Sequence, residues 1–131
     1  MKGKDIFRII GSTNIYDDSQ LTELDPWPEE TAVSGSLRHW EKVVFKGEEL
    51  IGAIWKSEPG VLRDVDYPFD QVVFVMEGEL ILKPDEGTIE KYKKGDIFLY
   101  PKGFTGLWEM PADYKELIII ERKAWDKEEG E

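Results

Sequence analysis

Acidic side chains are concentrated in one short segment of the chain, where they could bind a metal ion. Asp64, Asp66 and Asp70 precede the amide side chain of Gln71. Carboxylate and amide oxygens are the ligands that Mg²⁺ and Ca²⁺ prefer. The segment lacks the spacing of an EF-hand loop, since Asp66 is followed by Tyr67 rather than by a glycine turn. We predict a solvated acidic segment here, with an oxygen-only metal site as the alternative.

The sequence lacks the motifs of several common reactions. It contains no Cys and a single His, His39. No P-loop, no G-x-G-x-x-G dinucleotide motif and no G-x-S-x-G nucleophile motif is present. NTPase, Rossmann-type and acyl-transfer functions are therefore excluded. Because His39 stands alone on a predicted strand, we interpret it as a surface or half-buried structural residue.

The length and charge of the chain limit its partners and its location. The 131 residues suit a single domain. With 28 acidic and 17 basic residues, the net charge of −11 repels nucleic acid and anionic membranes. No apolar stretch is long enough for a transmembrane helix, and the N-terminal apolar patch is too short for a signal peptide. We therefore predict a cytoplasmic protein without nucleic-acid or membrane partners, which the absence of Cys fits.

Short β-strands joined by tight turns must position these side chains. In residues 71–106, short apolar runs are each ended by Gly or Pro, whereas helices would need longer uninterrupted periods. A first strand is predicted at residues 4–10, and Trp27 is predicted to anchor the arm that follows. The predicted division is an N-terminal strand and arm (residues 1–32), a barrel (residues 33–124) and an acidic C-terminal tail (residues 125–131).

Two motifs in residues 71–106 resemble the motifs of the cupin superfamily. Residues 71–78 match the strand and glycine turn of the first motif. Gly95, Asp96, Pro101 and Gly103 match every fixed position of the second motif, G-D-x4-P-x-G. The flanking segments are similar to the small cupins grouped with ureidoglycine aminohydrolase and ethanolamine-utilisation proteins. The resemblance covers about residues 50–120 and implies an all-β cupin barrel, a double-stranded β-helix or jelly roll, with an N-terminal arm.

The resemblance also implies a metal centre whose ligands are missing from this chain. Metal-binding cupins use two His and a Glu on the first motif and a third His on the second. The Glu position falls on Gln71, the third His position falls on Gly106, and residues 64–67 contain no His. We therefore predict no metal and no cofactor.

The barrel interior is the predicted binding site for a small molecule. Counting by twos from Gln71 places Val73 on the same face, and the same count from Gly106 reaches Trp108. Large aromatic walls with one amide suit a small-molecule pocket. Alternatively, the tryptophans fill a small barrel completely, although glycine at position 106 should open space. The predicted ligand-binding residues are Trp55, Gln71, Val73, Tyr100 and Trp108.

Three functions follow from these observations. The leading hypothesis is a metal-free cupin that binds a small polar metabolite in the barrel. The second is a metabolite-processing enzyme, an isomerase, hydrolase or lyase of the ureidoglycine or ethanolamine-utilisation type, with Glu58, Tyr67 and Gln71 as catalytic candidates. A carboxylate and a hydroxyl facing each other in an open cavity would favour this enzyme hypothesis. The third is a structural or protein-interaction domain, which predicts a barrel packed solid by Trp55 and Trp108.

A homodimer is the predicted assembly. Related cupins often place their N-terminal arms across a dimer partner, so the resemblance makes residues 11–31 a candidate interface. Trp27, Trp40, Val43 and Phe45 are apolar side chains that one small barrel need not bury. We expect a partner subunit to cover them.

Overall fold

The computed structural model describes Ile6, Arg8, Ile9 and residues 18–128. Most of the strand predicted at residues 4–10 lies outside the described residues. A 3₁₀ helix (Asp18–Gln20) begins the continuous part, and the helix α1 (Arg122–Glu128) ends it. The strands between them are β1 (Thr22–Glu23), β2 (Ala32–Gly35), β3 (His39–Lys46), β4 (Leu50–Ser57), β5 (Gly60–Asp64), β6 (Gln71–Glu77), β7 (Glu79–Pro84), β8 (Glu90–Lys93), β9 (Ile97–Tyr100), β10 (Gly106–Met110) and β11 (Tyr114–Glu121).

The strands form two antiparallel sheets, which confirms the predicted all-β fold. One sheet has the order β1-β3-β4-β11-β6-β9 and the other has the order β2-β5-β10-β7-β8. From β4 to β7 the chain passes from one sheet to the other at each connection, and it alternates again from β9 to β11. This repeated crossing gives the jelly-roll arrangement. No helix in the described part of the chain is long and apolar enough to span a bilayer.

The core lies between the sheets because side chains alternate along each strand. In β6, Val73 and Val75 are fully buried, whereas Val72 between Gln71 and Val73 is exposed. In β9, Tyr100 is buried and Leu99 is exposed. Burial along these strands therefore follows the period of two that a pleated strand imposes, although the apolar runs themselves are continuous in the sequence.

Described parts of the arm and of the C-terminal segment form secondary structure that continues the barrel. The arm joins the first sheet through β1, and Leu24 N donates a hydrogen bond to His39 O at 2.8 Å. Strand β2 begins at Ala32, so it crosses the predicted boundary after residue 32. Helix α1 likewise crosses the boundary at residue 125, and its Arg122 donates to Gly47 O at 2.9 Å.

Candidate functional site

A cavity of about 570 Å³ lies inside the barrel, beneath the arm. Its lining comes from the arm, from both sheets, from the β5–β6 loop and from α1. The barrel is therefore not packed solid, and the expectation that Trp55 and Trp108 fill it is wrong. The aromatic lining residues are Trp27, Trp55, Tyr67, Phe69, Tyr100, Trp108 and Trp125.

The tryptophans of the cavity hold one another in place by edge-to-face contacts. The Trp55 ring centroid lies 6.3 Å from that of Trp27 and 6.4 Å from that of Trp108. Trp108 in turn packs against Tyr100 at 5.0 Å, with their planes nearly perpendicular. Such arrangements are favoured because the positive edge of one ring meets the negative face of another. The walls are thus fixed by packing, as a preformed binding site requires.

His39 is a buried part of this wall, and the prediction of a surface or half-buried residue is wrong. It is 5% exposed and stacks on Trp27 with 4.4 Å between ring centroids. Trp55 Nε1 donates a hydrogen bond to His39 Nδ1 at 3.0 Å, so Nδ1 carries no proton. His39 Nε2 therefore donates to the Asp25 carbonyl oxygen at 2.8 Å. Burial lowers the pKa of His39, and the hydrogen bond to Asp25 only partly opposes this, which keeps the ring neutral.

The residues around the cavity do not fit the transition-metal centre that the resemblance implied. Both ring nitrogens of His39 are already engaged, and Gly106 has no ligating side chain. The Gln71 amide oxygen accepts a hydrogen bond from the Tyr67 hydroxyl at 2.7 Å. Within the described residues, no group of three or more His, Cys, Asp or Glu side chains is arranged to bind a metal ion.

The acidic segment is split between the cavity and the surface. The Asp64 carboxylate lines the cavity and accepts a hydrogen bond from the Tyr100 hydroxyl. The Asp70 carboxylate is outside and accepts from Lys102 N at 2.8 Å. Asp66 is exposed and has a φ of +49°. The three carboxylates thus lie in different surroundings, and the alternative of a shared oxygen-only site does not fit this arrangement.

Two polar pairs face the cavity at its β5–β6 end. In the first, burial raises the pKa of Asp64, although the hydrogen bond from Tyr100 opposes the shift. Burial also raises the pKa of Tyr100, with the Asp64 charge as a further cause. In the second, Tyr67 donates to Gln71, and Tyr67 N is itself fixed by Phe104 O at 3.0 Å. Both hydroxyls therefore keep their protons and act as hydrogen-bond donors.

Glu116 is the most deeply buried carboxyl group of the cavity, and the sequence analysis did not identify it. It is 3% exposed and lies on β11, opposite Trp55 of β4 and Val75 of β6. Burial raises its pKa from 4.5 to about 8, and the nearby Tyr114 hydroxyl only partly opposes the shift. That hydroxyl does not reach hydrogen-bond geometry, so Glu116 Oε1 has no partner among the described residues. Glu116 can therefore exchange a proton near neutral pH.

The structure brings most of the predicted site residues together but leaves two outside. Trp55, Gln71, Tyr100 and Trp108 line the cavity, as does the catalytic candidate Tyr67. The other two lie outside its lining: Val73 is fully buried in the core, and Glu58 accepts a hydrogen bond from Ser36 on the outside of the barrel.

Gly106 does not create the space, contrary to the prediction. A Cβ atom at this position would lie 2.4 Å from Lys83 O and 2.8 Å from the Cα of Pro84. Both atoms belong to the backbone of β7, which pairs with β10. A side chain at position 106 would therefore collide with a neighbouring strand rather than enter the cavity.

Comparison with known proteins places the chain among cupins. A family model described as EutQ-like cupin domain matches residues 49–115, whereas no curated protein matches the chain. The EutQ structure from Clostridium difficile is 17% identical, covers 70% of this chain and 67% of its own, and has a TM-score of 0.60. A putative ethanolamine utilization protein Q from Salmonella typhimurium is 19% identical over 64% of this chain and 69% of its own, with a TM-score of 0.54. The polyketide cyclase RemF from Streptomyces resistomycificus is 13% identical over 83% and 79%, with a TM-score of 0.61. At these identities the likeness shows the shared fold.

Proposed function

This chain belongs to the family of EutQ-like cupin domains, and we propose that its barrel binds a small polar metabolite without a transition metal. The absence of a transition metal from this proposal is supported by the side chains around the cavity, which do not fit a transition-metal centre. A volume of about 570 Å³ lies within the usual range of small-molecule sites. The cavity therefore has room for a small molecule without any increase in its volume.

Buried polar atoms without partners carry the proposal. Trp27 Nε1, Trp108 Nε1 and Glu116 Oε1 are buried and form no hydrogen bond within the described part of the chain. All three residues line the cavity. Folded proteins satisfy the large majority of such groups, and each one left unpaired costs about 1–3 kcal/mol. A polar ligand that both accepts and donates hydrogen bonds would remove this cost, so we infer that these groups serve a ligand.

Native mass spectrometry of protein purified without chelator or added metal tests this function. We expect one small molecule per chain to be retained by wild-type protein. Trp108→Phe keeps an aromatic wall but removes the Nε1 donor, so it should weaken retention several-fold. Trp40→Phe is the matched control, since Trp40 lies between Arg38 and Lys56 rather than in the cavity. Equal loss in both variants would contradict the proposal, and stoichiometric Fe, Mn, Ni or Zn that resists chelation would contradict its metal-free part.

A metabolite-processing enzyme is the second candidate function. The Asp64 carboxylate and the Tyr100 hydroxyl face each other inside an open cavity, which is the arrangement that favours it. Glu116, with a pKa of about 8, is suited to proton transfer at neutral pH. If the protein is an isomerase or lyase that moves a proton at carbon, a retained ligand incubated with it in D₂O should gain deuterium at that carbon, as followed by NMR. Glu116→Gln should slow this exchange by at least about 100-fold. Equal exchange by both proteins would exclude Glu116 as the proton carrier.

The homodimer and the cytoplasmic location stay predictions. The four side chains that suggested a dimer have partners within one chain: Trp27 lines the cavity, Val43 and Phe45 pack on core clusters, and Trp40 contacts Arg38 and Lys56. Leu99 and Ile97 of β9 are more exposed, at 58% and 62%. We propose that a second copy, if it binds, covers this edge rather than the four residues named from the sequence.

A further inference from the structure

We infer that the metabolite bound in this cavity is an organic cation, a molecule with an ammonium group attached to an apolar body. The inference rests on the proposed function and adds the chemical class of the ligand. It combines three observations: the sign of the charges along the lining, the aromatic walls, and an unpartnered buried carboxyl group.

The ionisable lining of the cavity is almost entirely acidic. It includes five carboxyl groups and neither Lys nor Arg. The one basic side chain, His39, is held neutral by burial and by its two hydrogen bonds. An anionic ligand would therefore find no positive partner, whereas a cation would find several negative ones. The acidic residues are Asp25, Glu41, Asp64, Glu116 and Glu128.

The walls between these carboxyl groups are aromatic. Four of the five tryptophans of the chain line the cavity. Trp55 stands at the centre, with Trp27 and Trp108 at 6.3 and 6.4 Å between ring centroids. Aromatic rings attract cations through the negative charge of their faces, most strongly for Trp and at desolvated sites. This lining binds an alkylated ammonium group better than a strongly hydrated metal ion.

Glu116 supplies the carboxyl group that such a cation would meet. It is 3% exposed, it lines the cavity, and its Oε1 has no hydrogen-bond partner among the described residues. Without ligand it keeps its proton at neutral pH, because burial raises its pKa to about 8. A bound ammonium group stabilises the ionised form, so the proton leaves to solvent as the cation enters. Six further residues of the lining are titratable besides Tyr67: Asp25 of the arm, His39 and Glu41 of β3, Asp64 of β5, Tyr100 of β9 and Glu128 of α1. Tyr67 belongs to the β5–β6 loop, and Tyr114 lies next to Glu116 on β11, outside the lining.

Three probes of similar size and different charge test the inference: benzyltrimethylammonium, benzyl alcohol and benzoate. Each is titrated into full-length protein, with intrinsic tryptophan fluorescence as the readout, because most of the tryptophans line the cavity. We expect the cation to bind at least tenfold more tightly than the other two. Its affinity should rise by up to about tenfold per pH unit between pH 6 and 8, since one proton is released on binding.

Variants connect the binding to Glu116. Glu116→Gln should weaken binding of the cation at least tenfold and remove the pH dependence. Glu121→Gln is the matched control, since it removes the same charge from an exposed position of the same strand, and it should bind as wild type does. Tighter binding of benzoate or benzyl alcohol would overturn the cation assignment while leaving the proposed cavity function intact. Absence of binding by all three probes would overturn the assignment as well, and a ligand retained in native mass spectrometry would then still support the proposed function.

Discussion

Glu116→Gln is expected to make the protein more stable than wild type at pH 9, although it removes a group from the proposed binding site. The pKa of Glu116 is raised from 4.5 to about 8 in the folded protein, mainly by burial. Between these two pH values the folded chain therefore holds one proton more than the unfolded chain. The free energy of unfolding must fall as pH rises through this range and stay level above it. Gln carries no charge, so the variant avoids this loss.

The expected difference is large for a single side chain. Each unit of pKa shift corresponds to about 1.4 kcal/mol, so the free energy of unfolding should differ by on the order of 3–5 kcal/mol at pH 9. At pH 5, where Glu116 is protonated in the folded protein, wild type and variant should differ little. Urea unfolding at pH 5, 7 and 9 measures this directly. Comparing the proteins at the same pH cancels the other titrating groups, including His39.

A control variant shows whether the pH dependence of stability comes from Glu116. Glu121→Gln removes an exposed carboxylate from the same strand, and it should follow the wild-type pH dependence. If Glu116→Gln also follows that dependence, Glu116 does not hold its proton in the folded state. A buried acid that lowers stability at neutral pH is typical of a functional site, where activity and stability oppose each other. If Glu116→Gln is more stable than wild type and also loses binding, both results would support the proposed function.

The fold could be predicted from the sequence because each strand carries its own signal. The short apolar runs of β6 and β9 and the Gly and Pro residues between strands are local features, and the structure keeps them. Counting by twos from the position of the missing metal ligand identified Trp108, which lines the cavity. The same count gave Val73, which lies outside the lining, because the pleat of a strand determines the face of a residue but not its depth in the barrel.

Glu116 could have been found by the same rule. The sequence predicts a last strand at residues 115–121, and the structure begins this strand one residue earlier, at Tyr114. Ile118 and Ile120 point inward, so counting back by two places Glu116 inside as well. A carboxylate before an apolar run is more often the solvated end of a strand, so the local pattern alone does not assign Glu116 to the interior.

Long-range packing determines the positions of Trp27, His39 and Trp125, and no local pattern in the sequence predicts that packing. Trp27 and His39 are stacked across the arm and β3, and Trp125 reaches the cavity from a helix that follows the last strand. Their positions are fixed by contacts between segments, such as the hydrogen bond from Leu24 N to His39 O. The arm was correctly given an anchor in Trp27, but the part of the barrel that it covers became visible only in the structure.

Gly106→Ala is expected to lower the free energy of unfolding by about 3 kcal/mol. Its Cβ would lie 2.4 Å from Lys83 O and 2.8 Å from the Cα of Pro84. These are backbone atoms of a paired strand, so no side-chain rotation relieves the contact, and β7 must move away from β10. Overpacking in a core typically costs about 1–3 kcal/mol, and backbone contacts lie at the upper end. Urea unfolding at pH 7 measures the loss.

Gly95→Ala is the control for this prediction. Its φ of +96° disfavours a side chain, but no atom lies within 4 Å of the added Cβ. We expect a smaller loss of about 1 kcal/mol from the backbone conformation alone. If Gly106→Ala were as stable as wild type, β7 would have to be more deformable than its register with β10 implies.

A crowded position 106 also bears on the metal centre. If one methyl group cannot be placed at position 106, an imidazole cannot be placed there either, so Gly106→His would not rebuild the metal centre that the cupin resemblance implies. The ligand of the proposed function would therefore have to be held by the aromatic and acidic groups that line the cavity.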